Sequence, residues 1–412
     1  MLRKKEMSDK SNSVSDVVSG KLCMGCGTCY SVCPREAITM LLDSDEGRFI
    51  PSISAGCTNC GFCLSICPGD KENLNEMQYN IFQTDRNNRI GHHSNIYSGY
   101  SNTPMIRYNS SSGGVIIELL SYLFTNKKIT AALVTKMSDI NPLISEPVIV
   151  HSPEELCDTI GSKYCPVPLN IELKKILSSP DAERYAVVGL PCHIRALRNA
   201  EVLIPRLKRK MIYHLGLMCS ATQDFRGTEC ILRENGIQAG DVSKISYRGM
   251  GWPGGMSVIL KDGVQRSIPL GKYHNAHFQA FTLERCLFCR DHTNELSDIS
   301  FGDAWHLKRS GGDGLSQIIT RTKFGDELMR NLVTDGLITL NQSEYADVSM
   351  AQGGLINKNE LLRARRQIAG KLHRKLPYDD SVDNEHSMKN IISEMKNSVV
   401  RPLIRQWLIS RK

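Results

Sequence analysis

The chain has 412 residues, 41% of them hydrophobic and 23% charged, a profile of a globular protein with room for more than one domain. Its formal net charge of +8, from 51 Lys and Arg against 43 Asp and Glu, comes with no zinc-finger, homeodomain or RNA-binding motif, which argues against nucleic acid as a partner. The opening MLRKKEMSDKSNSVSD lacks the apolar core of a signal peptide, and no stretch reaches the ~18 apolar residues that span a bilayer. Fifteen cysteines in such a chain point to a reducing, cytoplasmic compartment.

Residues 1–20 read as a polar, disordered lead. Residues 21–70 carry Cys23-x-x-Cys26-x-x-Cys29-x-x-x-Cys33-Pro34, and every cysteine recurs 34 residues later in Cys57-x-x-Cys60-x-x-Cys63-x-x-x-Cys67-Pro68. A disulfide framework would not need thiols three residues apart, and a zinc ribbon shows two C-x-x-C pairs with a longer spacer. The spacing is that of a bacterial two-cluster ferredoxin, where each run gives three thiolates to one [4Fe–4S] cube and its fourth to the other. Cys23, Cys26, Cys29 and Cys67 are then expected on one cluster, and Cys57, Cys60, Cys63 and Cys33 on the second. Ala37–Met40 and Arg48–Ile50 read as short strands around an Asp45-Glu46-Gly47 turn.

Residues 71–93 are polar and read as a linker. From 94 to 355, apolar runs rich in β-branched residues alternate with helical patterns. A helix is expected from Val115 to Phe124 and another from His193 to Val202. Strands are expected at Ile129–Thr135, Tyr185–Val188 and Met211–Leu217. The alternation predicts an α/β domain, and more hairpin-like strands after Val242, at Met256–Leu260 and Ser316–Thr320, predict a mixed sheet. Residues 356–412 read as a basic helical segment that packs one face on the body. Leu403, Trp407 and Leu408 can share a face, so partner docking or peripheral membrane contact is the sharper expectation.

Seven cysteines remain. Cys286-x-x-Cys289 is a candidate metal or redox pair. Cys192 ends a buried strand in Gly189-Leu190-Pro191-Cys192, and Cys219 follows another; strand ends in an α/β sheet converge on one crevice. Cys157, Cys165 and Cys230 read as small buried hydrophobes.

Together with Ser111-Ser112-Gly113-Gly114, Gly161-Ser162-Lys163-Tyr164 and Asp298-Ile299-Ser300-Phe301-Gly302-Asp303-Ala304-Trp305, the Gly189–Cys192 turn and the Cys286–Cys289 pair resemble a known family of flavoprotein oxidoreductases, the coenzyme F420 hydrogenase/formate dehydrogenase β-subunits. The resemblance implies one FAD, a third [4Fe–4S] cluster held by Cys192, Cys219, Cys286 and Cys289, and coenzyme F420 or a related hydride carrier as substrate. The chain departs from the family at His193, usually Gln, after Cys219, and at Arg290. Three clusters at a net charge of −2 each would offset about 6 of the positive charges.

Ser111, Ser112, Gly113 and Gly114 open directly into a helix, where backbone N–H groups attract phosphate, so they are candidates for the FAD pyrophosphate; Lys163 and Tyr164 are candidates for charge and stacking. Gly249-Met250-Gly251-Trp252-Pro253-Gly254 matches G-x-G-x-x-G but leads into a strand rather than a helix, and so does not argue for NAD. Asp303, His274 and His277 carry only weak signals, and no nucleophilic triad is present, as befits cofactor-borne chemistry. The leading expectation is an oxidoreductase that passes electrons between a hydride carrier, FAD, the clusters and a one-electron protein partner. The alternatives are a non-catalytic electron-transfer subunit of a larger dehydrogenase or hydrogenase, and a reductase of a substrate other than a deazaflavin.

Overall fold

The computed structural model describes residues 12–70, 73–86, 89–307, 313–371 and 388–410. Residues 1–11 of the expected lead and 372–387 of the C-terminal segment lie outside the described residues. Two strands, Ile38–Asp43 and Arg48–Ile53, pair antiparallel between the cysteine runs. Each run enters a short helix, Thr28–Val32 or Phe62–Ser65, through a left-handed glycine, Gly27 or Gly61.

The larger domain is built on an eight-stranded mixed sheet. Its spatial order is Ile338–Gln342, Asn95–Ser101, Ser316–Thr320, Ile299–Asp303, Met211–Leu217, Tyr185–Gly189, Ala131–Met137 and Ser145–Val150. The central pairings are parallel (Ile299–Asp303 with Met211–Leu217, that strand with Tyr185–Gly189, and that with Ala131–Met137), while the flanking pairings are antiparallel. Buried-on-both-faces runs such as Ala131–Val134 explain why these strands read as near-continuous apolar stretches. Helix Val115–Thr125 packs Leu119, Leu120 and Leu123 on one face, and helix Pro191–Leu203 packs Ile194 and Leu197 on the other. A separate three-stranded antiparallel sheet, Val242–Ser246, Gly255–Leu260 and Gln265–Pro269, follows as a hairpin-like unit.

Two stretches depart from the reading of the sequence. Residues 12–20, expected within the disordered lead, form helix Ser15–Ser19, with Val14 and Val17 buried. The expected linker contains helix Leu74–Phe82, whose Leu74 and Met77 join the core against the Tyr185–Gly189 strand layer. In both, a few apolar residues at helical spacing are enough because a preformed surface receives them; propensity alone would not hold such short helices. Of the three cysteines read as buried, Cys165 and Cys230 are, and Cys157 is exposed, on a 3₁₀ turn at Glu154–Thr159.

The C-terminal segment is helical, as Gly354–Lys371 and Met388–Ser410. Leu362, Ala369 and Leu408 are buried, while Leu403 and Trp407 are exposed, so Leu408 does not share their face. No helix among the described residues is long and apolar enough to cross a membrane.

Candidate redox centres

None of the fifteen cysteines is in a disulfide. Two cavities open inside the N-terminal unit, and each is walled by thiols from both runs. The first is lined by Cys23, Cys26, Cys29 and Cys67, closed by Val14 and Val17. The second is lined by Cys33, Cys57, Cys60 and Cys63. Cys67 of the second run thus lines the first cavity, and Cys33 of the first run lines the second. The sulfurs also receive backbone N–H groups: Gly25 to Cys23 at 3.4 Å, Gly69 to Cys67 at 3.4 Å, Ala37 to Cys33 at 3.4 Å and Asn59 to Cys57 at 3.5 Å. Such donors favour thiolate over thiol and set cluster potentials. No three His, Cys, Asp or Glu among the described residues converge as ligands of a single metal ion; cubane thiolates each bind a different iron and stand apart around a cavity.

The two cavities differ in environment. Burial pushes the Cys26 and Cys29 thiols up, and that of Cys23 to about 11. Around the second cavity Cys60 is exposed and sits in an open stretch, Ser54–Gly56 and Thr58–Cys60.

The third set of cysteines lies at the carboxyl ends of the parallel strands. Pro191 and Cys192 follow strand Tyr185–Gly189, and Cys219 follows Met211–Leu217, its amide donating to the His292 carbonyl at 2.8 Å. Cys286 and Cys289 flank the last turn of a 3₁₀ segment, Glu284–Phe288. Burial drives the Cys192 thiol well up, and the charges that add to this belong to Cys26, Cys219, Cys286 and Cys289. Cys192 thus lies within charge range of the three other cysteines of the carried-over set and of Cys26, which lines the first cavity.

His193 explains how the turn before Cys192 is held. Its Nδ1 accepts the Leu190 amide at 3.2 Å and its Nε2 faces the Val167 carbonyl at 3.1 Å, which fixes the neutral Nε2–H tautomer. Burial keeps this imidazole neutral, with its pKa pulled down to about 4.

At the same sheet edge, four loops meet. Ser111 Oγ accepts the Ser162 amide at 2.7 Å, joining the Ser111–Gly114 and Gly161–Tyr164 segments. Ser112 Oγ donates to the Leu315 carbonyl at 2.9 Å, and the Gly113 amide donates to Ser316 Oγ at 3.0 Å. These groups, read from the sequence as phosphate donors, are engaged with the protein. Gly114, at φ +79°, then starts helix Val115–Thr125. Lys163 is half-buried, and its Nζ donates to the Thr159 and Gly161 carbonyls at 2.6 and 2.9 Å, with desolvation of the amine lowering its pKa to about 8.

The sequence reading missed the centre of this edge, Arg248. It is 2% exposed and makes a two-pronged ion pair with Asp303, at 2.7 and 3.0 Å, while also donating to the Ser111 carbonyl. Trp252 Nε1 donates to Asp303 at 3.0 Å, and the Trp252 and Trp305 rings lie 5.0 Å apart. Tyr164 stacks edge-on against Tyr247 at 5.8 Å, with Arg248 3.5 Å from its hydroxyl. A lone Arg beside a glycine-rich loop gives no periodic signal; only the fold brings it under Asp303. His277 pairs with Glu234 on the surface at 2.6 Å, away from these groups.

Comparison with known proteins places the chain. Residues 96–174 match the N-terminal part of the family described as "Coenzyme F420 hydrogenase/dehydrogenase, beta subunit", and residues 182–346 match its C-terminal part. Residues 22–80 match a "4Fe-4S dicluster domain". Relatives include a coenzyme F420-dependent sulfite reductase of Methanocaldococcus jannaschii, 26% identical over 76% of this chain and 46% of that protein, so the chain spans about half its length. The F subunit of the F420H2 dehydrogenase of Methanosarcina mazei is 26% identical over 76% of this chain and 83% of its own. The coenzyme F420 hydrogenase β-subunit of Methanothermobacter thermautotrophicus is 24% identical over 70% of this chain and 98% of its own. A chain of the F420-reducing [NiFe] hydrogenase complex from Methanosarcina barkeri shares the fold, with a TM-score of 0.55 and 21% identity over 71% of this chain and 98% of that one. The two matched halves of the larger domain and the paired thiol cavities before it lead to one conclusion: the chain belongs to the family of coenzyme F420 hydrogenase/dehydrogenase β-subunits, and it carries a 4Fe-4S dicluster domain at residues 22–80.

Proposed function

We propose that the protein is an iron–sulfur flavoprotein that links a two-electron hydride carrier of the F420 type to a one-electron protein partner. The observation that supports this reading is that Cys219, Cys286, Cys289 and Cys26, which lines the first cavity, all lie within charge range of Cys192. FAD supplies hydride exchange with release of single electrons, and [4Fe–4S] clusters supply one-electron carriage.

Cys192, Cys219, Cys286 and Cys289 hold a third cluster, Cys23, Cys26, Cys29 and Cys67 the next, and Cys33, Cys57, Cys60 and Cys63 the last. The N-terminus of helix Val115–Thr125 beside Gly114 would hold the FAD pyrophosphate, and the Arg248–Asp303 pair holds Trp252 and the Ser111 loop in place next to it. Lys163 braces the Thr159–Gly161 carbonyls that shape the neighbouring loop. The exposed Cys60 end of the last cavity is where a one-electron partner docks.

Anaerobic addition of F420H2 tests this. The visible absorbance of the clusters should bleach in flavin-loaded protein and persist in flavin-free protein. Bleaching without flavin, or none with it, overturns the reading.

One observation favours a second reading, in which the chain is the electron-transfer subunit of a larger complex: Val400, Leu403, Trp407 and Ile409 are exposed on helix Met388–Ser410. Turnover by the purified monomer alone would count against it.

A further inference from the structure

Two arginines converge on a single carbonyl between the first cavity and the third set of cysteines. Arg195 Nη2 donates to the Pro68 carbonyl at 3.2 Å, and Arg285 Nη2 donates to the same oxygen at 3.3 Å. Both are buried, at 2% and 1% exposure. Pro68 directly follows Cys67. Arg195 lies one turn beyond Cys192 on helix Pro191–Leu203, and Arg285 directly precedes Cys286. The Arg195 charge also reaches Cys26 and the buried Asp291.

A guanidinium taken out of water is strongly disfavoured unless negative charge faces it. The shared carbonyl turns partial negative charge toward both guanidiniums, and the charges of Arg195 and Asp291 reach one another. Four thiolates on a cubane core would supply full negative charge, beside Pro68 at the Cys23/Cys26/Cys29/Cys67 cavity it lines and beyond it at the third set of cysteines.

We infer that Arg195 and Arg285 are a charge pair that tunes electron transfer between the third cluster and the cluster of Cys23, Cys26, Cys29 and Cys67. The inference rests on the third-cluster reading above. The step moves one electron: one cube is oxidised and the other reduced, with no bond made and no proton released. The cube that accepts the electron gains a negative charge in a poorly screened interior, and the fixed cations stabilise that charge. These are positioning residues, which act through the field and through Pro68 rather than by touching substrate.

Redox titration of the full chain, purified anaerobically and followed by electron paramagnetic resonance, tests the pair. Arg195→Gln and Arg285→Gln keep a donor for Pro68 and lose the charge. Each should lower the midpoint of the Cys23/Cys26/Cys29/Cys67 cluster by an amount equal to a tenfold change in its reduction equilibrium, about 59 mV for one electron. The Cys33/Cys57/Cys60/Cys63 cluster should stay in place as an internal reference. Arg195→Lys and Arg285→Lys should restore most of the shift. Unmoved midpoints at full iron content, or Lys variants that shift as far as the Gln variants, overturn the inference.

If the Gln variants do not load iron, Asp291→Asn decides. Removing a negative charge beside Arg195 should move the same midpoint upward, and no movement overturns the inference. A wild-type iron content of about eight rather than about twelve per chain removes the third cluster and the pairing together. Full iron with unmoved midpoints removes the inference alone.

Discussion

Asn170 of the larger domain is bonded to Cys26 of the ferredoxin unit: its backbone amide donates to the Cys26 carbonyl at 2.9 Å. Its side-chain amide donates to Thr28 Oγ1 at 2.8 Å and to the His193 carbonyl at 2.9 Å, and its own carbonyl accepts the Ser31 hydroxyl. One buried residue thus ties the first thiol run to the turn that carries Cys192. Gly27 permits the close approach, since a Cβ there would stand 2.6 Å from Ile171 Cγ2. Replacing Asn170 by Ala removes the side-chain donor that Thr28 Oγ1 and the His193 carbonyl share. The loss should be about 2–3 kcal/mol in chemical unfolding, with slower electron passage into the ferredoxin unit in stopped-flow measurements.

Cys286→Ser tests the third cluster directly. Iron per chain should fall from about twelve to about eight, and the ferredoxin signals should remain. Iron analysis of anaerobically reconstituted protein reads the difference. An unchanged content of about eight in both forms would remove Cys192, Cys219, Cys286 and Cys289 as ligands.

The Arg248–Asp303 pair is expected to destabilise the fold more when broken on one side than when replaced whole. Asp303→Asn leaves a buried guanidinium without its anion, and the fold should lose about 3–5 kcal/mol in urea unfolding. The double change Arg248→Met with Asp303→Leu should lose less stability. Both proteins should bind FAD more weakly, because Trp252 and the Ser111 loop lose their common anchor.

A pH effect follows from Tyr97, whose hydroxyl donates to Asp326 at 2.8 Å. Burial, then the Asp326 carboxylate, raises its pKa from 10.0 to about 12. The folded chain therefore holds this proton where the unfolded chain has released it. The contribution is fully present below pH 10 and is lost as pH rises from 10 through 12. After allowance for solvent screening the effect is about 1 kcal/mol, and Tyr97→Phe should lack it when urea unfolding is compared at pH values on either side of that window.

Much of this molecule is legible in its cysteines. The 34-residue repeat announces two thiol-lined cavities, with Cys67 on the wall of the first and Cys33 on that of the second, since a duplicated motif folds into a duplicated structure. The strands Tyr185–Gly189 and Met211–Leu217 were legible because burial on both faces leaves continuous apolar runs. Helices Ser15–Ser19 and Leu74–Phe82 were not, because each shows only two or three apolar residues in polar surroundings and depends on a surface formed by distant chain. Arg195, Arg285 and Arg248 were hidden for a related reason. A buried cation looks like any surface arginine until the fold shows the carbonyl or carboxylate that receives it.

The exchange of walls between the two cavities has a consequence for how the protein matures. Cys33 stands with the first run yet closes the second cavity, and Cys67 stands with the second run yet closes the first. Neither pocket can be completed by one half of the unit, so loading either one draws the other into shape. Val14 and Val17, at the start of and within helix Ser15–Ser19, line the first pocket, and Val14 also packs with Cys63 of the second. Metallation of this unit should accordingly proceed as one cooperative event, with partially filled protein rare.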